Sequence, residues 1–327
     1  MSRKEYRIYD TVDVMSAPVD NELIQDLGDQ VFAIDTLMGG YTGITSSYLI
    51  ASDKPALIET GSALCAPVVI QALEHLGVSR NDLATIVVTH IHLDHAGGVG
   101  DIAKAFPNAE IVVHERGARH LADPTKLVAS AYRVFGDRMD TFFGPLLASD
   151  PERIKALGAR DRIDLGAGRH LESFHNPGHA SHHVALVDSI TGDLYTGDAA
   201  GVYVPETSSI RPATPPPDFD FDLAINSIEA MKAVRPKRLL FSHFGPVDDV
   251  DVIFGQSIEQ LNYWVEWVTD AHLTGLDLDH AVLLAQEKDR ANNSEFFANK
   301  AVADKFEELS STEAQVQGIW RWLETKR

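Results

Sequence analysis

Within the 327-residue sequence, the stretch Thr89-His90-Ile91-His92-Leu93-Asp94-His95-Ala96-Gly97-Gly98 places four side chains able to bind a metal ion in six consecutive positions. The apolar, β-branched run Thr85-Ile86-Val87-Val88 just before it reads as a buried strand. His90 and His92 therefore leave the strand end two residues apart, a spacing that lets both imidazoles point to one side. Asp94 and His95 follow at once, and the small residues Ala96-Gly97-Gly98 let the backbone approach closely and a helix begin. Neutral imidazoles with a carboxylate suit a borderline cation such as Zn²⁺ in tetrahedral or five-coordinate geometry; Fe and Mn accept the same donors. The alternative is a polar loop whose histidines only cap and hydrogen-bond, and it leaves this density of ligand types unexplained.

The elements that must hold this stretch alternate between strand and helix. Convincing structure is expected from Val31-Phe32-Ala33-Ile34, after a polar lead-in over residues 1–28, followed by strands at Ser47-Tyr48-Leu49-Ile50 and Ala56-Leu57-Ile58. The glycine-rich Leu37–Gly43 lacks the Gly-Lys-Ser/Thr pattern of a phosphate-cradling loop and reads as a hairpin that could rim a pocket. Val68, Val69, Ile70, Leu73 and Leu76 make a helical apolar face; a helix over about 98–106 and the strand Ile111-Val112-Val113 follow the histidine motif. His114 and Glu115 end that strand and read as hydrogen-bonded edge residues rather than ligands. Leu127, Ala131, Val134, Phe135, Met139, Phe142 and Phe143 then recur at helical spacing up to Gly144-Pro145, predicting an inserted helical pair. Tyr132, Phe135 and Phe142 are its candidate pocket walls, with core packing as the competing role.

His90-x-His92-x-Asp94-His95 resembles the signature of the metallo-β-lactamase-fold hydrolases, which include glyoxalase II, lactonases, phosphodiesterases and persulfide dioxygenases. Further ligands that this resemblance implies are present in the family's order: His179 in Asn176-Pro177-Gly178-His179-Ala180, Asp198 in Tyr195-Thr196-Gly197-Asp198, and His243 in Leu239-Leu240-Phe241-Ser242-His243. The resemblance covers about residues 29–245 and implies an α/β (α+β) fold, the four-layer αββα sandwich. On that basis residues 1–250 are the catalytic domain, with a helical insertion at about 118–160, and residues 251–327 are a C-terminal helical extension. It assigns His90, His92 and His179 to one metal and Asp94, His95 and His243 to a second, with Asp198 bridging both beside a shared hydroxide, the ions about 3.5–4 Å apart. Asp94 and Asp198 thereby also count as catalytic. Tyr203 stands where some lactonases similar to this chain place a phenol that polarises the substrate carbonyl. Glu59, in Glu59-Thr60-Gly61, replaces the Asp that many relatives carry; the open roles are orienting a liganding histidine and serving as a satisfied turn carboxylate. His182 and His183 lie near His179, and strand alternation points one of them inward without making it a ligand.

The activity implied is metal-dependent hydrolysis of an ester, thioester or lactone on a small-molecule substrate. The alternative within the same fold is a mononuclear iron persulfide dioxygenase using His90, His179 and Asp198 as a facial triad. A phosphodiesterase and a non-catalytic metal-binding module are the remaining readings.

Composition narrows the partners. A formal net charge of -20 without clustered Lys and Arg disfavours nucleic acid, whose binding needs a basic surface. No apolar leader follows Met1-Ser2-Arg3-Lys4-Glu5 and no run reaches membrane-spanning length, so a cytoplasmic protein that does not bind membranes is expected. The single cysteine, Cys65, excludes an intramolecular disulfide and reads as a buried small side chain. Past Pro246 the stripe Ile253, Ile258, Leu261, Trp264, Val265 and Val268 marks a helix that two or three further helices follow, the last opening on a capping box at Ser310-x-x-Glu313. These helices could pack on the core, form a lid or provide a homodimer face.

Overall fold

A computed structural model describes residues 21–326, in two compact units. The first comprises the described residues up to His175 together with Val184–Tyr195, and the second comprises Asn176–His183 and the chain from Thr196 onward.

The first unit is built on a seven-stranded mixed sheet of β1 (Ile24–Asp26), β2 (Val31–Asp35), β3 (Ser46–Ile50), β4 (Ala56–Ile58), β5 (Thr85–Val87), β6 (Glu110–His114) and β7 (Ile154–Leu157), which lie side by side in chain order. Strands β1 to β4 are antiparallel, and β4 to β7 run parallel. Parallel neighbours need crossovers, here the helices α1 (Ala66–His75), α2 (Leu93–Ala96) and α3 (Val99–Ala105). Every residue of β4 and β5 is buried, which is why these strands read as continuous apolar runs rather than alternating ones. The histidine motif begins just past the carboxyl end of β5, the edge where open α/β sheets place their ligands.

Structure starts earlier than expected. The lead-in lies outside the described residues over 1–20, but Asn21–Leu23 forms a 3-10 turn and β1 pairs with β2, Ile24 opposite Ile34. Three mostly exposed residues at a sheet edge carry no alternation from which a strand could be read. The glycine-rich loop joins β2 to β3 as a hairpin connection, and Asp35 folds it by accepting from the N–H of Leu37 at 3.0 Å and of Gly43 at 2.7 Å.

The insertion holds α4 (Glu115–Ala122) and α5 (Thr125–Phe135), but the second member of the expected pair is only a five-residue π turn, Met139–Phe143. Gly136, at φ +55°, ends α5 too early for a second full helix before Gly144. An antiparallel ladder of β8 (Arg160–Asp164), β9 (His170–His175), β10 (Val184–Asp188) and β11 (Asp193–Gly197) follows.

In the second unit β12 (Val202–Val204) pairs with β13 (Ser209–Arg211), and β14 (Arg238–Phe241) with β15 (Gly245–Val247). Helix α6 (Phe221–Ala233) opens at Asp220, whose carboxylate accepts from the Leu223 N–H at 3.0 Å. Five more helices follow among the described residues: α7 (Val250–Leu273), α8 (Leu278–Asn292), α9 (Ser294–Ala298), α10 (Lys300–Leu309) and α11 (Thr312–Thr325). Phe254, Trp264 and Val268 from α7 and Val316 and Ile319 from α11 are fully buried. The cap of the last helix is Ser311, which accepts from the Ala314 N–H, one residue later than the expected Ser310. Ser310 instead accepts from the Gln315 side-chain amide at 2.7 Å. No helix among the described residues is long and apolar enough to cross a membrane.

Candidate metal centre

The first unit shapes the motif from below. Gly97 and Gly98 are required by close approach: a Cβ on Gly97 would lie 2.2 Å from the Leu93 carbonyl oxygen and 2.8 Å from the Ala63 nitrogen, and one on Gly98 2.9 Å from the Thr60 oxygen. Thr60 ties the same turn from the other side, its N–H and hydroxyl donating to the His95 carbonyl at 2.8 and 2.7 Å. His90 and His95 are buried, while His92 and Asp94 are half-buried. His90 Nδ1 hydrogen-bonds with Thr89 Oγ1 at 2.9 Å, which turns His90 Nε2 toward His92 Nδ1, 3.1 Å away.

Glu59 reaches the histidine motif with both carboxylate oxygens. One of its oxygens accepts from the Thr89 N–H at 3.1 Å, and the other stands 3.5 Å from His95 Nδ1. The opposite ring nitrogen of His95 faces Asp94 at 3.5 Å. Its backbone is held at φ +63°, unusual for a residue with a side chain. Glu59→Gln keeps the shape and removes the charge behind His95, and is expected to weaken metal affinity by about 10- to 100-fold. Competition with a chromophoric chelator measures this, and wild-type affinity in a folded variant would remove Glu59 from the site.

The second unit brings His179, Asp198 and His243 together. Gly178, at φ +132°, precedes His179 where a Cβ would meet the Ala224 nitrogen at 2.3 Å, so the loop can pass only as glycine. His179 Nδ1 donates to the Ala213 carbonyl at 3.0 Å, which fixes the tautomer and leaves the Nε2 lone pair facing Asp198 Oδ2 at 3.5 Å. His243 follows β14, and its Nε2 stands 3.7 Å from Asp198 Oδ1. The two imidazoles thus bracket one carboxylate at distances beyond a hydrogen bond. All three residues are buried.

These donor sets fit transition-metal ions. Imidazole nitrogens turned toward one another at 3.1 Å, or standing 3.5 to 3.7 Å off a buried carboxylate, are the donor types and spacings that could hold such an ion. Positioning partners on the far ring nitrogens complete the pattern usual around metal-bound histidines.

Sequence reasoning missed one of those partners. The Ala213 carbonyl has no side-chain signature. His183, fully buried, accepts from the Asp198 N–H through Nε2 at 3.1 Å and so holds the backbone that carries the carboxylate; His182 beside it is buried as well.

Tyr203 donates its backbone N–H to the His243 carbonyl, and its ring stacks on Phe241 at 5.7 Å. In the insertion, Tyr132 donates to Asp140 at 2.7 Å, Phe135 packs on Phe143 at 4.7 Å, and Phe142 closes against Gly39 of the glycine-rich loop. His114 stacks on His175 at 4.3 Å and caps α4 by accepting from the Arg116 N–H, the edge role expected of it. Burial pushes the Cys65 thiol up from its ordinary value, so it stays a neutral, inert side chain.

The family model described as the metallo-beta-lactamase superfamily matches residues 40–243, well over half of the chain, and the chain belongs to that superfamily. It is similar, at 31% identity over 166 residues, to the metallo-beta-lactamase fold-containing protein ST1585 of Sulfurisphaera tokodaii; the match covers 50% of this chain and 60% of that relative, under two thirds of its length. The probable metallo-hydrolase MJ0888 of Methanocaldococcus jannaschii is 26% identical over 166 residues, 51% of this chain and 72% of the relative. Among solved structures, the metallo-beta-lactamase family protein TTHA1429 from Thermus thermophilus shares the fold with a TM-score of 0.61 at 20% identity, over 86% of this chain and 89% of that one. The mixed α/β architecture with C-terminal helices is accordingly the metallo-β-lactamase fold, which binds divalent metals through His/Asp clusters and covers hydrolases.

Proposed function

We propose that the chain is a dinuclear metallo-hydrolase that cleaves an ester, thioester or lactone bond of a small molecule in the cytoplasm. The observation that carries the reading is the donor set His90, His92, Asp94, His95, His179, Asp198 and His243. Each of the seven offers a side-chain atom to a His/Asp group able to hold a metal ion. In the superfamily's arrangement His90, His92 and His179 would hold one ion, Asp94, His95 and His243 the second, and Asp198 both. Zinc suits this mixture of imidazole and carboxylate best. Bound there, the ions would supply a water acidic enough to be the nucleophile near neutral pH and a Lewis acid for the carbonyl oxygen of the bond that is cut.

The chain's own residues do the rest. Glu59 and Ala213 set the imidazole orientations, and His183 holds the backbone of Asp198. Asp94, half-buried, is the carboxylate able to carry a proton to the leaving alkoxide or thiolate. Tyr203 is the candidate hydrogen-bond donor to the substrate carbonyl. Residues 251–327 act as a helical extension of the catalytic region 1–250.

Elemental analysis of the purified protein is expected to find a pair of transition-metal ions per chain, and chelation should abolish hydrolysis of activated esters, thioesters or lactones, restored by Zn²⁺. A protein that hydrolyses them with no bound metal refutes the reading.

A further inference from the structure

The short segment Arg211–Thr214 supplies the carbonyl that orients His179, and the C-terminal helices grip it on both sides of that carbonyl. Upstream, the Arg211 guanidinium donates to Asp289 of α8 at 2.7 Å, and the other oxygen of Asp289 accepts from Asn293 at 2.7 Å. Arg211 is also enclosed by aromatic rings, its guanidinium carbon 4.5 Å from the centre of Phe296 and 5.7 Å from that of Trp264. Downstream, the Thr214 N–H donates to the Gln315 side-chain oxygen, and its hydroxyl reaches both that oxygen and the Gln315 carbonyl at 3.0 Å. Gly318, one turn further along α11, lies so close that a Cβ would sit 1.8 Å from the Thr214 carbonyl oxygen. Arg211, Thr214, Asp289 and Gln315 are all buried.

Packing apolar helix faces together requires none of these polar groups; buried charges and amides are retained at a cost that falls on any partner left unmatched. Between the two grips lies Ala213, whose carbonyl receives the His179 Nδ1 proton at 3.0 Å. A carbonyl displaced by a few tenths of an ångström would let the ring turn or change tautomer, and Nε2 would lose its aim. The β12–β13 turn, on the same stretch of chain, is pinned as well, through Lys305 of α10 and Glu206 at 3.2 Å.

We propose that Asp289 and Gln315, more than 100 residues beyond His179 in the chain, are positioning residues for a metal ligand: the C-terminal helices set the His179 tautomer through Arg211–Thr214. This rests on His179 being a metal ligand, so the test compares full-length wild type, His179→Ala, Gln315→Met and Asp289→Asn. Each is titrated with Co²⁺ and followed by the cobalt absorption spectrum, with thermal unfolding alongside. Val268→Ala, buried in the same unit, serves as a control for loss of stability alone.

Gln315→Met keeps the side-chain length and removes the oxygen that holds Thr214. The expected result is a Co²⁺ affinity about 10- to 100-fold weaker with an altered spectrum, while Val268→Ala lowers Tm and leaves both unchanged. Should Gln315→Met fail to fold, Asp289→Asn, which keeps the shape but removes the charge facing Arg211 and one of the two accepting oxygens, carries the same expectation. Wild-type affinity and spectrum in a folded variant, with His179→Ala impaired, overturns the positioning role alone. Equal Co²⁺ uptake by wild type and His179→Ala overturns the metal reading of His179 and this proposal with it.

Discussion

Asp198→Ala is expected to leave the chain nearly free of bound metal and to lower hydrolytic kcat/KM by several orders of magnitude. The carboxylate is buried, faces His179 at 3.5 Å and His243 at 3.7 Å, and in the proposed centre belongs to both ions. Its removal therefore takes negative charge from two cations at once, where loss of any one imidazole affects one. The backbone around it is independently held: the Asp198 N–H donates to His183, and its carbonyl accepts from Gly201 at 2.9 Å. The substitution should consequently leave the fold intact, which circular dichroism can verify. Metal content and turnover measured on the same preparation decide the matter, and full metal retention in the folded variant would exclude a shared carboxylate.

His243→Ala separates the two enzyme classes open to this fold. In a dinuclear hydrolase it should reduce occupancy toward a single ion and lower hydrolysis by several orders of magnitude, because the nucleophilic water is then activated from one side only. A mononuclear iron dioxygenase has no need of His243 as a ligand, so there the ion content would stay at one and hydrolysis would be absent from the wild type too. Oxygen uptake by the wild type on a persulfide substrate, or undiminished hydrolysis by His243→Ala with one ion bound, replaces the dinuclear reading by the iron one.

The first ligand group was legible because it is local. His90, His92, Asp94 and His95 fall within six positions after a β-branched strand, and both the strand and the glycines behind it are where that spacing requires them. The second group was legible only through its resemblance to a family, since nothing in the residues between His179 and Asp198 says that the chain returns to one place. The helical stripe from Ile253 to Val268 placed α7. What escaped notice has physical reasons. β1 is short and mostly exposed, β8 is exposed at four of its five positions, and neither shows a periodic apolar face. The contacts that aim the ligands use a main-chain carbonyl at Ala213 and a main-chain N–H at Asp198, groups that every residue owns. The grips on Arg211 and Thr214 join positions 78 and 101 residues apart, beyond any local pattern.

Glu59 has a further meaning for how this chain could change over generations. A non-glycine residue at φ +63° carries a conformational penalty of about 1 kcal/mol or more, and a buried carboxylate adds a desolvation cost unless a cation stands nearby. Glycine or asparagine would relieve that backbone strain, although glycine would leave the buried Thr89 N–H without its acceptor. An acid there is thus costly to a bare chain and favoured further when the site is loaded. Lineages that abandon metal chemistry should drift away from Glu59 early and those that keep it should not, so the residue at this turn tells active from lapsed members better than the histidines, which a folded core can retain by inertia.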